Sequence, residues 1–205
     1  MNLDDIKLYL PKYLSEASFS DLLKELKSFP KNMDKRFYSE YLKKNPTLFQ
    51  GDGIAKGLPI LNLPSTDIRE NVPVIVLSNT CDIDAENKRE YFSPRISYAP
   101  ILRLEKYKEA ITAKASKDRD KIIAHINSIK NQEITSILYL PQGGGFDYEG
   151  IVFLDRIISC DSNSVCGATL LKERMFILSD YGFYLFLFKL SLHFTRVQEQ
   201  VERRI

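Results

Sequence analysis

Cys81 and Asp82 are the side chains of this chain best placed for covalent chemistry. They follow an apolar, β-branched run over residues 72–77 and the polar residues 78–80, so they stand just past the end of a predicted buried strand, a frequent location of functional residues. A cysteine nucleophile acts as its thiolate and requires a base nearby. Of the chain's 2 histidines, His193 is the candidate base, because it lies in a predicted terminal helix that should pack on the sheet. The alternative is a small buried thiol beside a carboxylate that accepts hydrogen bonds from its own turn.

The segment 87–95 combines basic and aromatic residues. Its basic members are Lys88, Arg89 and Arg95, and its aromatic members are Tyr91 and Phe92. Proteins that bind a single strand of nucleic acid place Arg and Lys on phosphates and stack aromatic rings on bases. We therefore expect this segment to be the contact surface if the protein binds single-stranded RNA. The alternative is an ordinary solvated hairpin loop.

Metal binding and phosphate-loop chemistry are both disfavoured by spacing. Cys160 and Cys166 lie six positions apart, whereas zinc sites favour shorter cysteine spacing and paired ligands. The run Gly143-Gly144-Gly145 is not followed by Lys-Ser or Lys-Thr, so it predicts a flexible turn rather than a phosphate cradle. We expect no metal site and no cofactor.

The composition is typical of a globular chain with a substantial core. The 205 residues are 44% hydrophobic and 27% charged, and 29 Lys and Arg against 27 Asp and Glu give a net charge of +2. This charge is too small to attract nucleic acid over a distance, so such binding needs a local patch. Residues 1–5 lack the order of a signal peptide, and the apolar segment 183–192 is shorter than the ~20 residues of a membrane span. A reducing cytoplasmic location with free thiols, away from membranes, is expected.

The spacing of hydrophobic residues predicts helices in the first part of the chain and mainly short strands in the rest. Residues 1–47 predict a helical extension: one helix is capped by Ser18 and ended by Pro30, and a second covers about 35–44. Residues 48–205 predict one domain of short strands. The strands are expected at about 72–78, 96–102, 134–140 and 151–158, a helical insertion at about 104–132, and a final helix from Ser179 or Asp180 to about Arg203.

Four short motifs follow one another from residue 51 onward. They are Gly51-Asp52 at a strand start, Val72-Pro73 leading into the run 74–78, Ala99-Pro100-Ile101-Leu102, and the run 152–157 with Asp155 after its apolar core. This order, closed by a C-terminal helix, resembles the MazF/PemK toxin family of small SH3-like barrels that cut RNA. The resemblance implies a mainly-β SH3-like barrel with a helical insertion, a C-terminal helix and an N-terminal helical extension. It also places the segment 87–95 beside the RNA groove of such barrels.

Two positions depart from the pattern of the resembled family. Its ribonuclease chemistry uses an Arg before the Pro and a Thr or Ser at the end of the second strand, and here these positions are Val72 and Leu102. Neither side chain can donate a hydrogen bond to a phosphate or stabilise charge in the transition state. Gln50, Asp52 and Arg103 are polar but do not occupy the motif positions. The resemblance therefore does not carry the ribonuclease activity over.

The sequence thus predicts a divergent MazF/PemK-like barrel protein that acts as a nucleic-acid- or protein-binding module, in a bacterial toxin–antitoxin or phage-defence system. Its expected ligand is single-stranded RNA or a partner protein. A homodimer through the aromatic helix at 181–196 is a further alternative. The alternative function is enzymatic: a divergent endoribonuclease, which is a hydrolase acting on RNA, or an activity that depends on Cys81.

Overall fold

The structure, a computed structural model, describes residues 16–84, 87, 90–91, 93–114, 118–165 and 167–195. The chain divides into two units, residues 1–32 and 33–205. In the first unit, helix α1 spans Glu16–Lys27, as the leucine spacing predicted, with Ser18 inside it rather than capping it. The side-chain amide of Asn32 donates to the main-chain carbonyl of Glu25 at 2.8 Å and closes the chain onto the end of α1. The predicted division into an extension, 1–47, and a barrel domain, 48–205, stays a prediction.

The predicted helix over 35–44 is wrong. Only Lys35–Phe37 forms a helical turn, of the 3₁₀ type, and Tyr38 is extended and bridges Leu178. The Tyr38 hydroxyl donates to the Pro141 carbonyl at 2.5 Å, and the N–H of Ser39 donates to the Ile177 carbonyl at 2.8 Å. These contacts to distant segments hold the backbone extended and override its local helical preference.

An antiparallel sheet forms the centre of the second unit. Its strands are β1 (Gly53–Ile54), β4 (Val74–Val76), β5 (Arg95–Arg103), β6 (Ile137–Leu140), β7 (Gly150–Phe153), β8 (Ile158–Asp161) and β9 (Arg174–Phe176), and a separate hairpin pairs β2 (Ile60–Leu61) with β3 (Ile68–Arg69). The strand order is β6-β7-β5-β4-β1-β9, with β8 also paired to β5. The sheet curls into a half-barrel. The fold is mainly β with helices.

The pairing of strand β5 with two strands along one edge explains why the sheet curls. Its first part, 95–98, pairs with β8, and its last part, 101–103, pairs with β7 along the same edge. Between these pairings, residues 99 and 100 face the longer segment 153–157, which acts as an extended bulge and bends the sheet. The single strand predicted over 151–158 is therefore two strands, and Asp155 lies in the turn between them.

The predicted insertion at 104–132 consists of two helices. They are α3 (Leu104–Lys114) and α4 (Arg119–Lys130), and they pack on the face of β6 and β7. Ile122, Ile126 and Ile129 are buried there, as their helical spacing predicted.

Three further helices complete the described part of this unit. They are α2 (Thr80–Ile83), α5 (Gly167–Lys172) and α6 (Asp180–Thr195). The Ser179 hydroxyl accepts from the N–H of Gly182 at 3.1 Å, which confirms the predicted start of α6. A Cβ on Gly182 would lie 2.1 Å from the Phe37 carbonyl oxygen, so glycine allows this close approach. No helix among the described residues is long and apolar enough to cross a membrane.

Candidate functional site

A groove of about 1000 Å³ lies beside the start of β5. Its described lining comes from four stretches of the chain and consists of Pro46, Thr47 and Leu48, of Ile83, Asp84 and Asn87, of Pro94 and Ile96, and of Ser162, Asn163, Val165, Gly167, Ala168 and Leu171. Apolar and uncharged polar side chains form most of this lining, and Asp84 is the one charged residue among the described members. Such a surface favours a ligand with apolar groups and a few hydrogen-bonding groups.

One wall of the groove, which we call the 45–50 wall, is held by an arginine from the sheet. The Arg174 side chain donates from Nη1 to the Asn45 carbonyl at 2.9 Å and from Nη2 to the Thr47 carbonyl. The N–H of Thr47 in turn donates to the Asn45 side-chain oxygen at 2.9 Å. Strand β9 therefore fixes the first half of this wall.

The other end of the 45–50 wall is tied to helix α2. The N–H of Gln50 donates to the Thr80 hydroxyl at 3.0 Å, and its side-chain amide donates to the Leu77 carbonyl at 2.7 Å. Since Thr80 is the first residue of α2, the groove wall and the turn that carries Cys81 are held together.

Asp52 provides the counter-charge for Arg174 in the interior. It is fully buried, and its Oδ2 accepts from the N–H of Phe49 at 2.9 Å. Arg174 Nε lies 3.0 Å from the same oxygen, an ion pair outside the geometry of a hydrogen bond. Oδ1 has no hydrogen-bond partner among the described residues. Burial raises the pKa of Asp52 to about 7, against the smaller opposing effects of the Phe49 N–H and the Arg174 charge.

Cys81 is exposed at the beginning of α2, so the expectation of a small buried thiol is wrong. The Asn79 side chain accepts from the N–H of Cys81 at 2.9 Å, and the Asn87 side chain donates to the Cys81 carbonyl at 2.7 Å. His193 is half-buried, with its ring 4.9 Å from that of Phe194. The contacts that the structure describes for Cys81 and His193 do not join these two side chains. The catalytic role of Cys81, Asp82 and His193 stays a prediction.

The structure describes only part of the basic and aromatic segment 87–95. Lys88, Arg89 and Phe92 lie outside the described residues. Tyr91 is 89% exposed. The Arg95 guanidinium donates to the Ser159 hydroxyl at 3.0 Å and to its carbonyl at 2.8 Å.

Arg95 faces away from the groove. Neighbouring side chains of a strand point to opposite faces, and the next residue, Ile96, lines the groove. The predicted contact of Arg95 with phosphates therefore belongs to the outer surface of β5 and β8, and it stays a prediction.

The two positions that depart from the resembled family pack in different places. Val72 contacts the core cluster that contains Ile54 and Tyr98, whereas Leu102 contacts the cluster beneath helix α4. Both are half-buried apolar side chains. Leu102 thus packs against the cluster that the insertion helices cover, apart from the cluster that Val72 contacts.

Other clusters of reactive side chains are few in the described part of the chain. Within it, no three His, Cys, Asp or Glu side chains lie close enough to hold a metal ion. His125 accepts or donates a 2.9 Å hydrogen bond with the Tyr107 hydroxyl, which links α4 to α3. This contact is explained by packing of the two insertion helices.

Sequence reasoning missed the residues that shape the groove. Asp52 and Gln50 were noted only as a strand start and as polar residues outside the motif positions, and Arg174 received no role. One signal was present: a carboxylate between two glycines immediately before an apolar strand points to a buried polar contact. Its arginine partner, more than one hundred positions later, left no local signal.

Comparison with protein-family models and with curated proteins identifies no relative. The chain matches no model of a protein family, and no curated protein matches it. The resemblance to MazF/PemK barrels thus depends on the order of the four motifs and on the curled antiparallel sheet.

Proposed function

We propose that this protein is a non-catalytic binding module whose groove holds an extended segment of a partner protein. The observation that carries the proposal is the groove of about 1000 Å³ with an apolar and mostly uncharged lining. This volume is at the upper end of the range for ligand pockets, so it admits several residues of an extended chain. Leu48, Ile83 and Val165 offer apolar contact, and Asn87 and Asn163 offer hydrogen bonds to a peptide backbone.

Charge favours a peptide over RNA as the occupant of the groove. The described lining contains no Lys or Arg side chain that could pair with a phosphate backbone, as a nucleic-acid groove requires. We therefore infer that the bound segment is a peptide that carries apolar residues.

RNA remains the second candidate ligand, at a different surface. The observation that favours it is the 89% exposure of Tyr91, in a segment that the sequence makes basic and aromatic. A ring this exposed is available for stacking on a base, which is worth about 1–3 kcal/mol per base.

The finer fold and the biological setting belong to the same proposal. We propose that the half-barrel is a divergent SH3-like barrel of the MazF/PemK kind, and the motif order and the curl of β5 support this. The toxin–antitoxin or phage-defence setting is supported by the motif order alone. A cytoplasmic location agrees with the free thiols of Cys81 and Cys160.

A display library of short peptides, selected on the purified chain, tests the peptide proposal. We expect enrichment of peptides that carry apolar residues. Ala168→Trp places a large ring in the groove and should weaken the selected peptide at least tenfold in a fluorescence titration. Thr169→Trp is the matched control, since Thr169 is exposed on the same helix but does not line the groove.

The same titration with a single-stranded RNA oligonucleotide separates the two ligands. Equal peptide affinity in both tryptophan variants would contradict the assignment of the groove. If RNA binds at low salt and Tyr91→Ala weakens it, while no peptide is enriched, RNA is the ligand and the peptide proposal fails. An exposed tyrosine outside the groove lining, Tyr41, supplies the control variant Tyr41→Ala.

A further inference from the structure

The buried pair Asp52–Arg174 connects the interior of the sheet with the groove. The two terminal nitrogens of Arg174 donate to the carbonyls of Asn45 and Thr47, while its Nε lies 3.0 Å from the Asp52 carboxylate and forms an ion pair with it. Asp52 accepts from the N–H of Phe49. Both members of the pair therefore bind main-chain groups of the 45–50 wall.

We propose that this pair holds the 45–50 wall in its binding conformation while Asp52 is ionised, and that the wall loosens when Asp52 takes up a proton. Binding of the partner then depends on pH. The inference rests on the proposed function of the groove and names a means by which that site is regulated.

The burial of the Asp52–Arg174 ion pair explains why protonation of Asp52 would loosen the 45–50 wall. The Arg174 side chain is only 5% exposed, so its charge is held away from water and Asp52 is its counter-ion. A buried charge that loses its partner is strongly unfavourable. Protonation of Asp52 leaves the guanidinium with neutral carbonyl partners alone, which favours its movement toward solvent and releases Asn45 and Thr47.

Oδ1 is the oxygen of the Asp52 carboxylate that is available to take up a proton. Oδ1 has no hydrogen-bond partner among the described residues, whereas Oδ2 already accepts from Phe49 and faces Arg174. A proton on Oδ1 therefore displaces no existing hydrogen bond. It removes only the negative charge that Arg174 faces.

Among the described residues, few other charged groups act on Asp52. It directly precedes β1, which lies between β9, the strand that supplies Arg174, and β4, whose facing residues Ile75 and Val76 are apolar. The neighbouring Lys56 and Glu173 pair with each other at 3.3 Å on the surface. The titration of this site is therefore governed by Asp52 and Arg174.

Binding and stability should respond to pH in opposite directions. Burial raises the pKa of Asp52 from 3.8 to about 7, so the folded state favours its protonated form. The stability that this provides is complete below about pH 3.8 and is lost as the pH rises through about 7. Acidification thus stabilises the fold through this group and at the same time weakens the hold on the groove wall.

Two measurements across pH 6 to 8 test the inference. In the free protein, amide NMR signals of the 45–50 wall should shift with a midpoint near pH 7. The affinity for a selected peptide without titratable groups in this range should fall about tenfold from pH 8 to pH 6, because the ionised fraction falls from about nine tenths to about one tenth. Asp52→Asn should bind the peptide as weakly at pH 8 as the wild type does at pH 6.

Glu173→Gln is the matched control, since it removes an adjacent carboxylate that pairs with Lys56 rather than with Arg174. It should keep the wild-type pH dependence. Wall signals of the wild-type protein that do not move between pH 6 and 8 would overturn the inference, whether or not Asp52→Asn folds. Wall signals that titrate in a protein that binds no peptide would support the pH-dependent wall while refuting the peptide proposal.

Discussion

At the scale of single residues, this protein places several polar groups in its interior, each with a defined task. Lys189 is 2% exposed within the apolar helix α6, and its amine donates to the carbonyls of Gln132 at 2.9 Å and Ile134 at 2.5 Å. These carbonyls follow the end of α4, so Lys189 fastens the helical insertion to the terminal helix. Burial lowers the pKa of Lys189 to about 8.

The lowered pKa of Lys189 has a measurable consequence for stability. Between about pH 8 and pH 10.5 the unfolded chain binds the proton more tightly than the folded one, so the free energy of unfolding should rise with pH. The rise is at most about 1.4 kcal/mol per pH unit. Urea unfolding at pH 7, 8, 9 and 10 should show that Lys189→Met loses this rise, whereas the exposed-residue control Lys106→Met keeps it. Parallel curves for wild type and Lys189→Met would contradict the assignment.

Cys81 is the residue on which the enzymatic alternative depends. It is exposed, whereas Cys160 is half-buried and burial raises the pKa of its thiol. We expect Cys81 to react faster than Cys160 with a disulfide reagent at pH 7, by exposure alone, and expect His193→Gln to leave the Cys81 rate unchanged. Site-resolved mass spectrometry of the labelled protein measures both rates. A Cys81 rate that falls on His193→Gln would instead favour the Cys81-dependent enzyme.

At the scale of elements, sequence periodicity predicted those parts whose environment is local and uniform. The apolar run before Ser78 became β4, the alternating run ending at Leu102 became β5, and the isoleucine spacing at 122–129 became the buried face of α4. Strand β4 is buried along its whole length, and α4 buries the one face that carries its isoleucines. Such burial leaves a regular pattern in the sequence.

The elements that were predicted wrongly depend on distant partners. Phe37 and Tyr38 look helical in isolation, yet contacts to residues 141 and 177–178 extend the backbone. The run 151–158 looks like one strand, yet β5 accommodates it only as two strands with a bulge between them. The groove was beyond prediction for the same reason, because its described walls come from four separated segments.

At the scale of the whole molecule, the curled sheet brings a barrel-like core together with a groove on its surface. The insertion helices cover the sheet at β6 and β7, while the 45–50 wall and helix α5 leave the groove beside β5 open. The buried ion pair joins core and groove directly. A site built in this way can respond to conditions that alter the core, which a loop on the surface alone could not do.

The arrangement of the whole fold also predicts that the protein does not cut RNA in the manner of the family it resembles. Val72 and Leu102 stand where the resemblance expects hydrogen-bond donors, and they pack against two separate core clusters. Because the two side chains lie in separate clusters, restoring the donors does not rebuild a joint site. Purified protein incubated with mixed-sequence RNA, without added metal, should therefore give no cleavage above a control without protein. The double variant Val72→Arg with Leu102→Thr should remain equally inactive in that assay. Defined cuts by the wild-type chain that disappear on Arg95→Ala would show instead that a different set of residues, on the outer face of β5 and β8, carries a ribonuclease activity.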